Sequence, residues 1–407
     1  MMDLRSKLGL YNLNPGKSSN INKDREIDTL VPGFVRSNDN GSCYVAENSY
    51  PPSYLHGSCS LGDAAGIGGG LLAALGGPDC NGLRGDELLY LDTETTGLSG
   101  GAGTVAFLTG VGFFEKDIFT VRQYFMRDYD EEAAMLTELQ ELFAKYRGFV
   151  TFNGKAFDIN LLESRFISNR IKADLSGKPD IDLLYPSRKV WSLKLESCRL
   201  ASLEENVLGE YRCDDIPGAM IPSVYFKYLD DRDATEIKRV VRHNELDVLS
   251  MVSLLVKLTS MLQSPASATD GGYELLGVGR IFESTGQTGN MLDCFEACAD
   301  SEHYSVRSQA VKRLGRIYKR SGKFDLALSH WESMETENPG FEIFHLVEMA
   351  KYYEHRAKDI RTALLLVEKA LQNCAKSGIP GVSRVSDLKK RRERLRRKLD
   401  RKMRQLP

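Results

Sequence analysis

At 407 residues, with 42% hydrophobic and 27% charged residues and a net charge of −2, the chain has the balance of a globular protein of two or three domains. No apolar stretch approaches the roughly 20 residues of a bilayer span, which excludes a membrane-embedded reading. Eight cysteines without a C-x-x-C pair, and an N-terminus without an apolar core, lead us to expect reduced thiols, no secretory signal and a cytoplasmic location.

The charge is uneven. From Val385 to Pro407 eleven Lys and Arg face three acids, a local +8 that leaves about −10 for the rest. Such a tail suits an anionic partner, usually nucleic acid, and equally a solvated, salt-bridged helix.

In chain order, Tyr11 to Lys23 is polar and shows no periodicity, as in a disordered segment. A short β-like piece spans Ser42 to Ala46. The glycine-rich stretch from Gly62 to Gly77 lacks the G-x-x-x-x-G-K-[ST] spacing of a phosphate loop, so it is read as a linker or weak helix with no cofactor. Then comes Leu88-Leu89-Tyr90-Leu91-Asp92-Thr93-Glu94-Thr95, where four apolar residues predict a strand buried on both faces. Asp92 and Glu94, two apart, share one face of it. Two carboxylates aimed at one spot repel unless a cation joins them, and an all-oxygen set favours Mg²⁺ or Mn²⁺.

Strands are expected over Thr104–Phe114 and Phe119–Phe125, joined as a hairpin through Glu115-Lys116-Asp117. A helix is expected over Glu131–Tyr146, followed by a buried strand at Phe149–Phe152. Asn153-Gly154 then turns the chain into a helix with Asp158 near its start. That position lies at the carboxyl edge of the sheet, where ligands commonly bind, although capping alone also favours an acid there. A long helix over Ala234–Val256 carries His243 and Asp247 one turn apart, on one face.

The order D-x-E on a strand, N-x-x-x-F-D at a helix start and H/Y-x-x-x-D on a late helix resembles the DEDD (DnaQ-like) 3′–5′ exonucleases, which have a ribonuclease H-like fold. A closer resemblance is to the bacterial YprB-like ribonuclease H-like proteins. It rests on Asp92 to Gly112, on Ile181-Asp182-Leu183-Leu184-Tyr185-Pro186, on Ser197-Cys198-Arg199-Leu200, on Asp214-Asp215-Ile216-Pro217-Gly218 and on His243-Asn244 with Asp247-Val248. The resemblance implies an α/β ribonuclease H-like exonuclease domain, a mixed sheet with flanking helices. It implies Asp92, Glu94, Asp158 and Asp247 as ligands of two Mg²⁺ or Mn²⁺ ions, with His243 as the base. Leu98 would wedge against the terminal base, and Thr95, Asn153 and Arg188 would meet the substrate. For Asp182 and Arg188 a structural role weighs more than phosphate positioning. The chain departs from the family at His243, which stands at the spacing where relatives carry tyrosine; histidine-type relatives place their His five residues before the Asp.

Beyond Gly271 the pattern is helical. Arg280-Ile281-Phe282-Glu283, Arg316-Ile317-Tyr318-Lys319 and Lys351-Tyr352-Tyr353-Glu354 recur at spacings of 36 and 35, near the 34 of tetratricopeptide repeats. An all-α helical-repeat domain that binds a protein partner is therefore expected; the signature Trp and Pro positions are mostly missing, and the alternative is a plain helical bundle. Cys294 and Cys298 are read as buried thiols. The organisation expected is a disordered 1–40, a β-like piece and linker at 41–86, the exonuclease domain at 87–262, repeats at 272–376 and a basic tail at 377–407.

The function expected is a metal-dependent nuclease cutting phosphodiesters of DNA or RNA, as a 3′–5′ exonuclease releasing nucleoside 5′-monophosphates. The alternative is an inactive nucleic-acid-binding scaffold that uses the repeats for protein interaction. Four clustered acids are costly without a metal, which favours the enzyme.

Overall fold

In the computed structural model the apolar run Leu88–Leu91, at most 1% exposed, lies near the middle of a seven-stranded mixed sheet. The structure describes residues 23–97, 103–334, 342–377 and 382–404. They divide into two compact units, one running to Ser187 and resuming over Ser197–Thr259, the other made of Arg188–Glu196 and the chain from Ser260 onward.

In the first unit the strands are β1 (Gly33–Asn38), β2 (Gly41–Tyr50), the two-residue β3 (Leu55–His56) and β4 (Cys59–Ser60), β5 (Leu88–Thr95), β6 (Ala106–Glu115), β7 (Ile118–Phe125), β8 (Gly148–Thr151) and β9 (Asp180–Asp182). The large sheet has the order β1-β2-β7-β6-β5-β8-β9, and β3 and β4 pair separately. From β1 to β5 all pairings are antiparallel; β5, β8 and β9 run parallel. The chain returns from β7 to β8 through α1 (Glu132–Phe143), because a parallel neighbour needs a crossover. Then α2 (Asp158–Ser168) leads on towards β9. Leu89 and Leu91 share one apolar core with Leu136 and Leu139 of α1 and with Leu162 and Phe166 of α2. On the same core, Tyr225 of α3 (Ile221–Asp231) stacks on Phe107, ring centroids 4.0 Å apart, and its hydroxyl donates to the Met126 carbonyl. The long helix α4 (Thr235–Gln263) runs further than its pattern required.

Two expectations for the N-terminal region need correction. Residues 23–40 are structured: a 3₁₀ turn, a short helix at Ile27–Leu30 and strand β1. The β-like piece is a ten-residue strand paired to β7 along Tyr44–Tyr50, so the sheet extends well before residue 87. The physical reason is pairing. Strand β1 is largely exposed and carries no periodic signal, yet it closes on β2 through the two-residue turn Asp39-Asn40, with Gly41 at φ +123°. The glycine-rich stretch read as a linker or weak helix holds a helix at Gly69–Gly76, with Leu72 fully buried.

The second unit is all helical. Its main helices are α5 (Gly272–Thr285), α6 (Thr288–Ala299), α7 (Tyr304–Arg320), α8 (Phe324–Ser333), α9 (Phe344–His355), α10 (Ile360–Ser377) and α11 (Val382–Met403), each packed on its neighbours in sequence. Cys294 and Cys298 are buried and free. Within this unit Trp191 donates through Nε1 to Glu274 at 3.0 Å, and Lys194 meets the same carboxylate at 2.8 Å. The basic C-terminal stretch forms α11, docked through buried Leu388 and Leu395. Arg391, Arg394 and Lys398 converge at 2.8 Å on Glu354, whose side chain is wholly buried. Burial would raise that carboxyl, but Arg394 and Lys398 hold it down at about 2. Among the described residues no helix is long and apolar enough to cross a membrane.

Candidate active site

Strand β5 presents Asp92 opposite Gly110 of β6, and Glu94 opposite Leu108. The missing side chain at Gly110 matters: a Cβ there would stand 2.0 Å from Asn244 Oδ1. Asn244, fully buried on α4, uses that gap to reach the strand. Its Nδ2 donates to Asp92 Oδ2 at 2.8 Å, and its Oδ1 accepts from Gln123 Nε2 at 2.8 Å. Gln123 also donates to the Val241 carbonyl at 2.7 Å, so the amide that holds Asp92 is itself held. No sequence pattern singled out Asn244 or Gln123 for this work.

His243 and Asp247 sit one turn apart on α4, as their spacing requires. His243 Nε2 lies 3.6 Å from Asp247 Oδ2 and 3.9 Å from Glu94 Oε1, and one ligand atom from each residue falls within 4.8 Å of the others. Two groups approach Nδ1, the Asp215 carboxylate at 2.8 Å and Arg212 Nη1 at 3.2 Å. A guanidinium only donates, so the shorter contact to an acceptor places the proton on Nδ1 and leaves a lone pair on Nε2. Against burial, which would raise it, His243 and Arg212 hold the Asp215 carboxyl below the usual range.

Arg212 is the residue that sequence reasoning missed altogether. A single π-helical turn, Glu204–Leu208, ends at Gly209 in the left-handed region and sends the chain back. Arg212 thereby comes to bridge Glu204 Oε1 and Asp247 Oδ1 through Nη2, while its Nε donates to Glu204 Oε2 at 2.7 Å. Glu204, 2% exposed in its side chain, also accepts from Ser250 Oγ. Ser250 Oγ lies 2.7 Å from His56 Nε2.

Asp158 opens α2, is buried, and accepts from the Thr93 hydroxyl. Thr93 stands between Asp92 and Glu94 on β5, so this bond ties Asp158 to the strand between them, and the charge of Asp158 reaches both. Thr95 is buried and its hydroxyl donates to the Gly97 carbonyl at 2.8 Å. Asn153 is exposed, at φ +68°, and its N–H donates to Asp182 Oδ1 at 2.8 Å. Asp182 Oδ1 also accepts from Leu184 N at 3.1 Å and its Oδ2 from Lys155 N at 3.3 Å, so Asp182 ties the Asn153 turn to the end of β9. Arg188 is exposed and belongs to the second unit. Leu98 lies outside the described residues.

Residues 89–259 match the RNase_H superfamily model. All the acids above, with His243, Asn244 and Arg212, fall inside that span. The Uncharacterized protein YprB of Bacillus subtilis (strain 168) is 29% identical over 343 residues, covering 82% of this chain and 81% of the relative. The ribonuclease H-like region thus carries the candidate site, and its superfamily points to a hydrolase acting on nucleic acid.

The donor set fits a divalent ion. Burial, then the charges of Asp247 and Asp158, push Asp92 well above the usual carboxyl range. Burial, then Asp92, Asp247 and Asp158, do the same to Glu94. Asp158 is raised by burial to about 6, although Thr93 partly offsets it. Carboxylates driven toward protonation by one another are what a cation relieves.

A pH dependence follows for the metal-free protein. A raised folded pKa means that the folded chain holds protons the unfolded chain has released, so stability falls as pH rises through that interval. For Asp158 the interval runs from the ordinary carboxyl value of 3.8 to about 6, worth about 3 kcal/mol. Asp92 and Glu94 extend the decline upward. Melting in EDTA should therefore drop from pH 5 to pH 7.5, and Mn²⁺ should flatten the trend. A melting temperature that rises across this range without metal would contradict the site.

Proposed function

We propose that this protein is a metal-dependent 3′–5′ exonuclease that releases nucleoside 5′-monophosphates. The observation that carries this reading is the meeting of Glu94, His243 and Asp247 beside Asp92 at the end of β5. Two divalent ions held by Asp92, Glu94, Asp158 and Asp247 would supply a nucleophile at neutral pH and neutralise charge on the attacking and leaving oxygens. The chain's own part is pre-organisation. Asn244 fixes Asp92, Arg212 turns Asp247, and Asp215 sets the His243 ring. Thr95, Leu98 and Asn153 are proposed to meet the substrate.

The deciding experiment incubates the purified chain with Mn²⁺ or Mg²⁺ and end-labelled single- and double-stranded DNA and RNA. Mononucleotides appearing from the first turnover would support the proposal. Internal fragments would make it an endonuclease, and intact substrate in every lane would remove the catalytic reading.

We read the second unit as tetratricopeptide-like repeats for a protein partner. The support is that the three similar sequence runs occupy the closing turns of α5, α7 and α9. Helix α11 is proposed to touch phosphates. Lys390, Arg397, Arg401 and Arg404 are exposed and fall on its side away from Leu388 and Leu395. Because the helix is docked, replacing these four by Gln tests the idea better than deletion. The slope of log affinity against log salt for duplex DNA should become shallower by about 3.6, at about 0.9 for each of the four charges. An unchanged slope would leave α11 as a solvated helix.

A further inference from the structure

The sequence casts His243 as the base that takes a proton from water; the geometry points to a different task. We propose that His243 Nε2 is itself a ligand, with Glu94 and Asp247, of a divalent ion, and that this centre prefers Mn²⁺, Co²⁺ or Zn²⁺ to Mg²⁺. The proposal rests on the metal-dependent reading above and names the ion class of that same site.

Separation is the first argument. Donors about 2.1 Å from a tetrahedral ion stand about 3.4 Å apart. Nε2 is 3.6 Å from Asp247 Oδ2 and 3.9 Å from Glu94 Oε1. A few tenths of an ångström of side-chain movement brings these two separations into range, and the ligand oxygens of Glu94 and Asp247 lie within 4.8 Å of each other.

Orientation is the second. Metal-bound imidazoles donate their other N–H to a carboxylate or carbonyl, which fixes the tautomer and strengthens the donor. Asp215 does this for His243 at 2.8 Å. Arg212 takes Oδ1 of Asp247 and so turns Oδ2 inward. Arg212 is anchored in turn by buried Glu204, so the inward aim of Asp247 is built in.

Glu94 supplies a third, independent observation. Its side chain is only 13% exposed, yet among the described residues its carboxylate accepts no hydrogen bond. A nearly buried carboxylate normally has partners. The imidazole stands 3.9 Å from it, a distance too long for a hydrogen bond and suited to a shared cation. Nitrogen in the set determines the preference. Mg²⁺ takes oxygen ligands in near-ideal octahedra and keeps its waters, whereas imidazole suits later first-row ions.

The test is pulsed EPR on the full chain loaded with Mn²⁺, together with titrations of Mn²⁺ and Mg²⁺ affinity. Wild type should show nitrogen coupling to the bound Mn²⁺. His243→Ala should lose that coupling and bind Mn²⁺ about 10–100-fold more weakly, with Mg²⁺ affinity changed less. Asp215→Asn should keep the coupling and weaken Mn²⁺ about tenfold. Mn²⁺ bound to wild type without nitrogen coupling would overturn the ligand role and leave the nuclease reading standing. Failure of wild type to bind Mn²⁺ at all would overturn both. Because the coupling is read in wild type, a His243 variant that fails to fold does not rescue the proposal.

Discussion

Replacing Asp92 by Asn together with Glu94 by Gln is expected to abolish hydrolysis while making the metal-free protein melt higher. Both carboxyls are pushed up by burial and by each other's neighbours, so the folded state pays to keep them charged near neutral pH. The amides keep the shape and remove the repulsion. The same change removes the metal's grip. At a free Mn²⁺ concentration 100 times its dissociation constant, a single site stabilises wild type by about 2.7 kcal/mol. For a unit of this size that raises melting by about 5–10 °C. In the double variant the rise should vanish. Loss of outer partners alone costs about 10–100-fold in affinity or activity, and removing two inner ligands should exceed that. Residual turnover within tenfold of wild type would mean that these acids do not hold the ion.

Arg212→Ala should be the most damaging single change in the first unit. It strips the guanidinium from Glu204, whose side chain is 2% exposed, and from Asp247. Breaking a buried ion pair by removing one partner costs about 3–5 kcal/mol, because the remaining charge stays buried. Melting should fall by roughly 10 °C. Arg212→Lys restores a point charge but not the fork that serves Glu204 through two nitrogens and Asp247 through one of them, so it should recover only part. Adding Glu204→Gln to Arg212→Ala should recover more. An Arg212→Ala protein that melts with wild type would place this arginine outside the buried network.

How much of this was legible in the sequence depended on whether the signal was local. The D-x-E strand could be read because period-two geometry puts Asp92 and Glu94 on one face regardless of what surrounds them. The His243–Asp247 pair could be read for the equivalent reason on a helix. Asn244 could not, although it adjoins His243, because its role depends on the gap at Gly110, more than 130 positions earlier. Arg212 lies in a loop with no periodicity and meets its partners only after the chain reverses at Gly209. Strand β1 is exposed along its length, so no apolar alternation betrayed it. The turn Asp39-Asn40 ahead of Gly41 was its one local mark, on the N-terminal side of the β-like piece.

The pairing of β2 along β7 also bears on where this protein can be cut. A fragment beginning at residue 87, just ahead of the superfamily match at 89, would keep every proposed metal ligand. It would lose Cys43, Tyr44 and Val45 from the core and leave the β7 backbone groups that now bond to β2 unpaired. An unprotected strand edge beside newly bared apolar surface recruits other chains. Such a fragment should be recovered as aggregate, whereas one beginning ahead of Ile27 keeps the hairpin that closes the sheet and should remain monodisperse.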